Sequence, residues 1–261
     1  MKTSVKLILI YFLMQVLGAM IAAPVGMVYS YIVYNRLAVD AVQPEIMSLA
    51  MLFGFLFMGY YLWLKGYLKN DGQLYSPVSV SCLALSLAAG VSVIILSDFV
   101  MSGLRFLPDW LHGTFSVLQS SVLGLLCITL LGPVMEELLF RGAVTKVLLG
   151  TFRPSTAILL SGLMFGIFHI NPAQVVAASL SGIFLAWLYY QTRSLIPGIL
   201  IHVLNNTLSV YLDKTYPDVD TLSELQGESV YPFCLAAATL LLTLSLLLLN
   251  RYKATGRSPH P

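Results

Sequence analysis

The sequence is short of charge, since only 10% of its 261 residues are Asp, Glu, Lys or Arg, whereas 58% are hydrophobic. A soluble domain carries about 25% charged residues, so the composition argues against a water-soluble fold. The net charge is only +2, and no basic run of the kind that binds nucleic acid is present. These shortages predict an all-α, polytopic integral membrane protein.

Cysteine and the common hydrolase motifs are also scarce. The three cysteines lie in apolar runs and none forms a CxxC pair, which argues against a zinc knuckle or a disulfide framework. The chain contains no HExxH zinc-protease helix and no GxSxG nucleophile elbow. A hydrolase built on this sequence would therefore need a different set of groups.

Long apolar runs predict about eight transmembrane helices, because roughly 20 apolar residues cross the hydrocarbon layer. The expected spans are Val5–Tyr34, Ile46–Leu64, Val78–Phe99, Phe115–Leu131, Thr156–Ile170, Ala173–Tyr190, Leu195–Leu212 and Pro232–Leu249. A further helix, Pro133–Leu149, is expected between the fourth and fifth spans. No internal repeat or linker divides the chain, so residues 1–250 are predicted to form one transmembrane domain, followed by a short basic tail at 251–261.

Basic residues predict the orientation, since Lys and Arg in short loops favour the cytoplasm. With both termini cytoplasmic, only Arg36, Arg105 and Lys214 of the loop residues lie outside. The first apolar run resembles a signal peptide at its small residues, but it continues to Tyr34, so an uncleaved first helix is expected. The expected location is a bacterial inner (plasma) membrane. Asp213–Glu228 then becomes a solvated outer segment.

Three charged groups lie in the apolar stretch from Gly132 to Gly142. One charge at mid-membrane costs about 2.5–3.5 kcal/mol, so such residues call for a role. Glu137 and Arg141 are four residues apart and can pair on one helical face. Glu136 is rotated by about 100° from Glu137 and is free for another function. The alternative is a plain salt bridge at a helix end.

Polar residues recur in two later spans. His169 ends a run that begins with Phe165, and His202 shares a helical face with Asn206. Alone, His169 could be a hydrogen-bonded helix-end residue, and the other two could join helices by hydrogen bonds. Together with Glu136 they indicate a functional site, because polar groups inside a membrane bundle usually face its interior.

These groups are suited to a hydrolysis in which an activated water molecule attacks the substrate. A buried glutamate can act as general base while one imidazole orients the same water. A second imidazole and an amide N–H can donate to the developing oxyanion. The inventory therefore predicts a hydrolase of acyl bonds that works in a membrane cavity.

The three motifs EExxxR, FxxxH and HxxxN, in this order, resemble the CPBP family of CAAX-processing and bacteriocin-processing (Abi) intramembrane proteases. The resemblance covers about Leu131–Leu212. It implies that Glu136 and His169 activate water and that His202 and Asn206 form the oxyanion hole. Glu137, Arg141 and Phe165 would support them. The family implies eight helices, a cavity open to the membrane or cytosol, and a lipidated or membrane-inserted peptide or protein as substrate, among membrane lipids and without nucleic acid.

The number of available ligands indicates whether the site uses a metal, because a catalytic zinc normally has three protein ligands and a water. If a metal is bound, Glu136, His169 and His202 are its expected ligands, but the site then lacks a free base. A metal-independent mechanism that needs no cofactor is therefore favoured, with zinc as the alternative. Two other functions stay open: a non-catalytic membrane peptide-binding or bacteriocin-immunity protein, and a proton-coupled transporter, although no inverted repeat is found.

Overall fold

The computed structural model describes residues 1–69, 74–219, 221–227 and 229–251. In this part of the chain the protein is built from helices, and the only β-type pairing is an isolated bridge between Tyr75 and Ser194. The ten helices are α1 (Lys2–Tyr34), α2 (Gln43–Leu64), α3 (Val80–Ser102), α4 (His112–Gln119), α5 (Val122–Leu149), α6 (Pro154–Phe168), α7 (Pro172–Thr192), α8 (Ile196–Thr215), α9 (Leu222–Gln226) and α10 (Tyr231–Arg251). The all-α membrane fold is confirmed, and almost all of the predicted tail lies outside the described residues.

The number of spans is smaller by strict criteria than the eight predicted. Among the described residues, six helices are long and apolar enough to cross a membrane: α1, α2 with its preceding turn, α3, α5, α7 and α10. Helix α6 has only 15 residues, and polar residues such as His202 and Asn206 interrupt the apolar run of α8. The count of eight is therefore approximate, and the two helices that fall short both carry residues of the predicted site.

The fourth predicted span and the helix after it are arranged differently from the prediction. Helix α4 ends at Gln119, and α5 then runs without a break from Val122 to Leu149. Pro133 does begin an α-helical segment, Gly132–Leu139, but this segment follows directly on a π-helical turn, Cys127–Leu131. The wider turn accommodates a proline whose missing N–H and bulky ring disfavour an ordinary α-helical interior.

A second π-helical turn, Phe140–Thr145, follows the two glutamates within α5. Single π-turns inside α-helices are rare and often lie at functional sites. All six residues of this turn are buried. The two irregular turns of α5 thus lie on either side of the segment that carries Glu136 and Glu137, and the second of them is wholly interior.

Small residues bring α6 and α7 into close contact. A β-carbon added at Gly162 would lie 2.5 Å from the Ile183 nitrogen, and one at Gly166 would lie 2.5 Å from the Val175 carbonyl oxygen. In membranes, helices associate largely through such packing of small residues. The α6–α7 pair can therefore hold Phe165 and Gly182 at fixed positions beside α5.

Outside this core, the surfaces of α1 and α10 expose large apolar side chains such as Leu9, Ile32, Phe233 and Leu240. Contiguous exposed apolar surface of this kind is unusual in soluble proteins. It is the surface expected against lipid tails, and the protein is an integral membrane protein.

Candidate active site

Glu137 and Arg141 form a buried ion pair one helical turn apart, as their spacing predicted. Arg141 Nη1 lies 2.6 Å from Glu137 Oε1, and their side chains are 1% and 0% exposed. Arg141 Nη2 also donates to the Gly182 carbonyl at 3.0 Å, and the guanidinium lies 4.6 Å from the centre of the Phe165 ring. The arginine therefore ties α5 to both helices of the α6–α7 pair.

His202 lies between the two glutamates, a relation that the sequence did not reveal. Its Nδ1 is 3.0 Å from Glu137 Oε1, and its Nε2 is 3.7 Å from Glu136 Oε2. Since a carboxylate only accepts hydrogen bonds, Nδ1 donates to Glu137. Glu137 thus orients both Arg141 and His202, while Glu136 is a partly exposed carboxylate, 17% accessible, in front of the ring.

His169 is held at the end of α6 by its own helix. Its Nδ1 lies 2.8 Å from the Phe165 carbonyl oxygen. A carbonyl only accepts, so Nδ1 carries a proton and Nε2 of the neutral ring is free to accept one. The Phe165 ring meets His169 edge-on at 4.9 Å between centroids and His202 at 5.7 Å. Phe165 is therefore the common neighbour of both histidines and of Arg141.

The short turn after His169 is strained and tightly bonded. Ile170 has a φ of 60°, a conformation that is unusual for a β-branched residue. The buried Asn171 donates from Nδ2 to Asp109 Oδ1 at 2.8 Å and accepts from the Trp110 backbone nitrogen at 3.0 Å. The segment around Asp109, which precedes α4, is thus held against the turn that carries His169.

A cavity of about 320 Å³ opens beside His169. Its walls come from α1, from α4 and the segment before it, and from the ends of α6 and α7 with the turn between them. They are Tyr11, Phe12, Trp110, Leu111, Phe115, Phe168, His169, Ile170, Asn171 and Gln174. Tyr11 is buried and packs edge-on against Phe168, with 4.9 Å between the ring centroids. Sequence reasoning missed this contribution of α1, because a lone tyrosine in an apolar helix carries no motif.

Asn206 lies one turn beyond His202 on α8 and contacts α5 at a backbone group. Its Nδ2 donates to the Ile128 carbonyl at 2.9 Å. Its Oδ1 accepts from Asn205 Nδ2 at 3.1 Å. The structure therefore brings Glu136, Glu137, Arg141, Phe165 and His202 into one cluster. His169 joins this cluster through Phe165, and Asn206 extends it along α8 towards Ile128.

The two histidine rings are oriented through Nδ1. Nδ1 of His202 faces Glu137 and Nδ1 of His169 is bonded to the Phe165 carbonyl, an orientation that metal-ligating histidines also adopt. Within the described residues, no group of three or more His, Cys, Asp and Glu side chains is placed to hold a metal ion. If a metal is bound, Glu136, His169 and His202 remain its expected ligands.

Comparison with known proteins points to one family. Residues 118–208 match the family model described as type II CAAX prenyl endopeptidase Rce1-like. The chain is also 29% identical over 100 residues to the "Putative membrane peptidase YdiL" of Bacillus subtilis (strain 168). That match covers 37% of this chain and 39% of the relative, so the chain matches well under half of the relative's length. No solved structure matches the chain.

Proposed function

We propose, for a chain whose residues 118–208 match the Rce1-like CAAX endopeptidase family model, that the protein is an intramembrane endopeptidase of the CAAX-processing type. It hydrolyses a peptide bond with water that is activated by Glu136 and His169. The oxyanion is held by His202 and Asn206. The proposal requires no metal ion, and none of its steps uses one.

The proposal rests chiefly on the different surroundings of two adjacent glutamates. Glu137 is fully buried, and its Oε1 accepts hydrogen bonds from both Arg141 and His202. Glu136 is partly accessible and has His202 Nε2 at 3.7 Å. Because the Glu137 carboxylate is buried and already bonded to both Arg141 and His202, we assign Glu137 as the supporting group and the accessible Glu136 as the base.

His202 suits oxyanion stabilisation because its two ring nitrogens point in opposite directions. Nδ1 is anchored on the buried carboxylate of Glu137, and Nε2 points towards the accessible Glu136. With both nitrogens protonated, the imidazolium charge is balanced by Glu137 and Glu136, and Arg141 completes a set of two anions and two cations. Nε2–H can then donate to an oxygen that lies in front of Glu136.

The proposed reaction balances with these groups alone. Glu136, aided by Nε2 of His169, takes a proton from water as the water oxygen attacks the scissile carbonyl carbon. The oxyanion accepts from His202 Nε2–H and from the second N–H of Asn206. When the tetrahedral intermediate collapses, the Glu136 carboxylic acid returns the proton to the leaving amine nitrogen.

The substrate that we propose is a lipidated or membrane-inserted peptide. The reacting groups lie among transmembrane helices, and the adjoining 320 Å³ cavity is lined largely by aromatic side chains. Apolar and aromatic lining with a few polar groups is typical of sites that enclose an apolar ligand. We assign the protein to the bacterial inner membrane with both termini in the cytoplasm, on the distribution of its basic residues.

The test compares membrane peptidomes and cleavage of an internally quenched, farnesylated CAAX-type peptide for the wild-type protein and Glu136→Gln. The matched control is Glu224→Gln, which makes the same change in an exposed pair with Arg105. We expect Glu136→Gln to fold normally and to lose turnover by at least about 10²-fold, in the range for a general base. Wild-type protein that cleaves neither the peptide nor any membrane protein would overturn the proposal.

A further inference from the structure

Asn205 is turned away from the proposed site by helical geometry, yet its side chain reaches back to the neighbouring amide. Its Nδ2 donates to Asn206 Oδ1 at 3.1 Å. No motif includes this residue. The amide that Asn205 contacts is the one to which the proposed function assigns the binding of the oxyanion.

The other end of the Asn206 amide is fixed by a carbonyl that α5 leaves without its helical partner. In the first π-turn, the Gly132 nitrogen donates to the Cys127 carbonyl, five residues back. The same pattern would direct the next amide to Ile128, but residue 133 is a proline and has no N–H. Asn206 Nδ2 donates to the Ile128 carbonyl instead, at 2.9 Å.

These two contacts define the orientation of the Asn206 amide. If the amide were flipped, its oxygen would face the Ile128 carbonyl and its NH₂ would face the NH₂ of Asn205. The first contact would join acceptor to acceptor and is repulsive, and the second would join donor to donor with Asn205 oriented as observed. In the observed orientation one N–H of Nδ2 is used by Ile128 and the second N–H is left for another acceptor.

We propose that Asn205 is a positioning residue for Asn206. The Ile128 carbonyl, which Pro133 leaves without a helical donor, binds the nitrogen of the Asn206 amide, and Asn205 binds its oxygen. The second N–H of Asn206 is then directed to the reacting oxygen. This inference rests on the proposed function. It adds that the preorganised donor depends on a residue outside the three motifs. An oxyanion donor is effective when it is already oriented before charge develops, so the contribution of Asn205 is to turnover and not to substrate binding.

The experiment measures kcat and KM on the quenched farnesylated peptide for Asn205→Leu, which has a similar size but no donor, and for Asn205→Gln, which keeps an amide donor. We expect Asn205→Leu to lower kcat about three- to tenfold, the effect of one lost hydrogen bond, with little change in KM and in thermal unfolding. Asn205→Gln should recover most of the loss. Asn205→Ala removes the same donor without adding apolar bulk, and it replaces Asn205→Leu in the experiment if that variant does not fold.

A double-mutant cycle with Asn206→Ala distinguishes positioning from general destabilisation. If Asn205 acts through Asn206, then Asn205→Leu has no further effect on kcat once Asn206 is alanine. Full additivity, an unchanged kcat in Asn205→Leu, or a loss confined to KM would overturn the inference while wild-type cleavage upholds the proposed function. A wild-type protein without cleavage would overturn both.

Discussion

Gly198 lies directly against Glu137: a β-carbon at residue 198 would be 3.0 Å from Glu137 Oε2. This oxygen is buried and has no hydrogen-bond partner among the described residues. The close approach of α8 to α5 at this point allows His202, one turn further along α8, to reach the same carboxylate. Gly198, which belongs to none of the three sequence motifs, is therefore part of the geometry of the site.

Gly198→Ala should destabilise the protein, because the added methyl group meets a carboxylate that is already fixed by Arg141 and His202. We expect a loss of about 1–3 kcal/mol, typical of overpacking, measured by thermal or denaturant unfolding in detergent. The matched control is Gly142→Ala, since a β-carbon there has its nearest neighbour at 3.5 Å, in ordinary contact. Equal stability of the two variants would contradict this account of the α5–α8 contact.

Arg141→Met should cost far more stability than the same substitution in an exposed pair. It leaves Glu137 buried and without its main counter-charge, and breaking a buried pair costs about 3–5 kcal/mol. Arg105→Met is the comparison, because the Arg105–Glu224 pair is 2.6 Å long but its side chains are 46% and 40% exposed. Exposed pairs contribute about 0–1 kcal/mol, so a similar loss in both variants would count against a structural role for the buried pair.

Chelation should leave turnover unchanged. The prediction follows from the number of available ligands, because a zinc site that used Glu136, His169 and His202 would leave no free base. The measurement is peptide cleavage after prolonged treatment with a strong chelator, together with metal analysis of the pure protein. Activity that is lost on chelation and restored by zinc, with stoichiometric metal in the protein, would show that the metal-independent mechanism is wrong.

Both termini should face the cytoplasm. The basis is the concentration of Lys and Arg in the loops on that side, including Lys65, Lys146 and Arg193. Reporter fusions placed after Pro261 and after Asp218 should report opposite sides of the membrane. If both reporters are active on the same side, the proposed topology must be abandoned.

The fold could be predicted largely from apolar length, since a helix that crosses lipid must satisfy its backbone within a single run of residues. The exceptions have physical causes. Helix α6 is short and ends at Phe168, just before the strained Ile170, and the apolar run of α8 is interrupted by its own polar residues. The course of α5 through Pro133 could not be predicted, because it depends on a π-turn for which helical periodicity gives no signal.

Contacts of the candidate site within one helix could be predicted from the sequence, whereas contacts between helices could not. The Glu137–Arg141 pair follows from a four-residue spacing. The contact of His202 with both glutamates depends on how α8 crosses α5, and sequence spacing carries no information on that crossing. Asn205 shows a limit of the helical wheel: its backbone position faces away from Asn206, but its side chain is long enough to bond to it.

The shortness of α6 bears on how water enters the site. Fifteen residues of α-helix span about 22 Å, whereas the hydrocarbon layer is about 30 Å thick. If α6 begins with Arg153 at one membrane surface, the turn that carries His169 therefore lies within the hydrocarbon layer, short of the opposite surface. At that depth, irregular backbone is tolerated only inside protein or beside water. Asp109 and Trp110 meet Asn171 at this depth. The short helix α6 therefore leaves His169 beside the cavity that Trp110 and Asn171 line, and we expect water to reach the proposed site through this cavity.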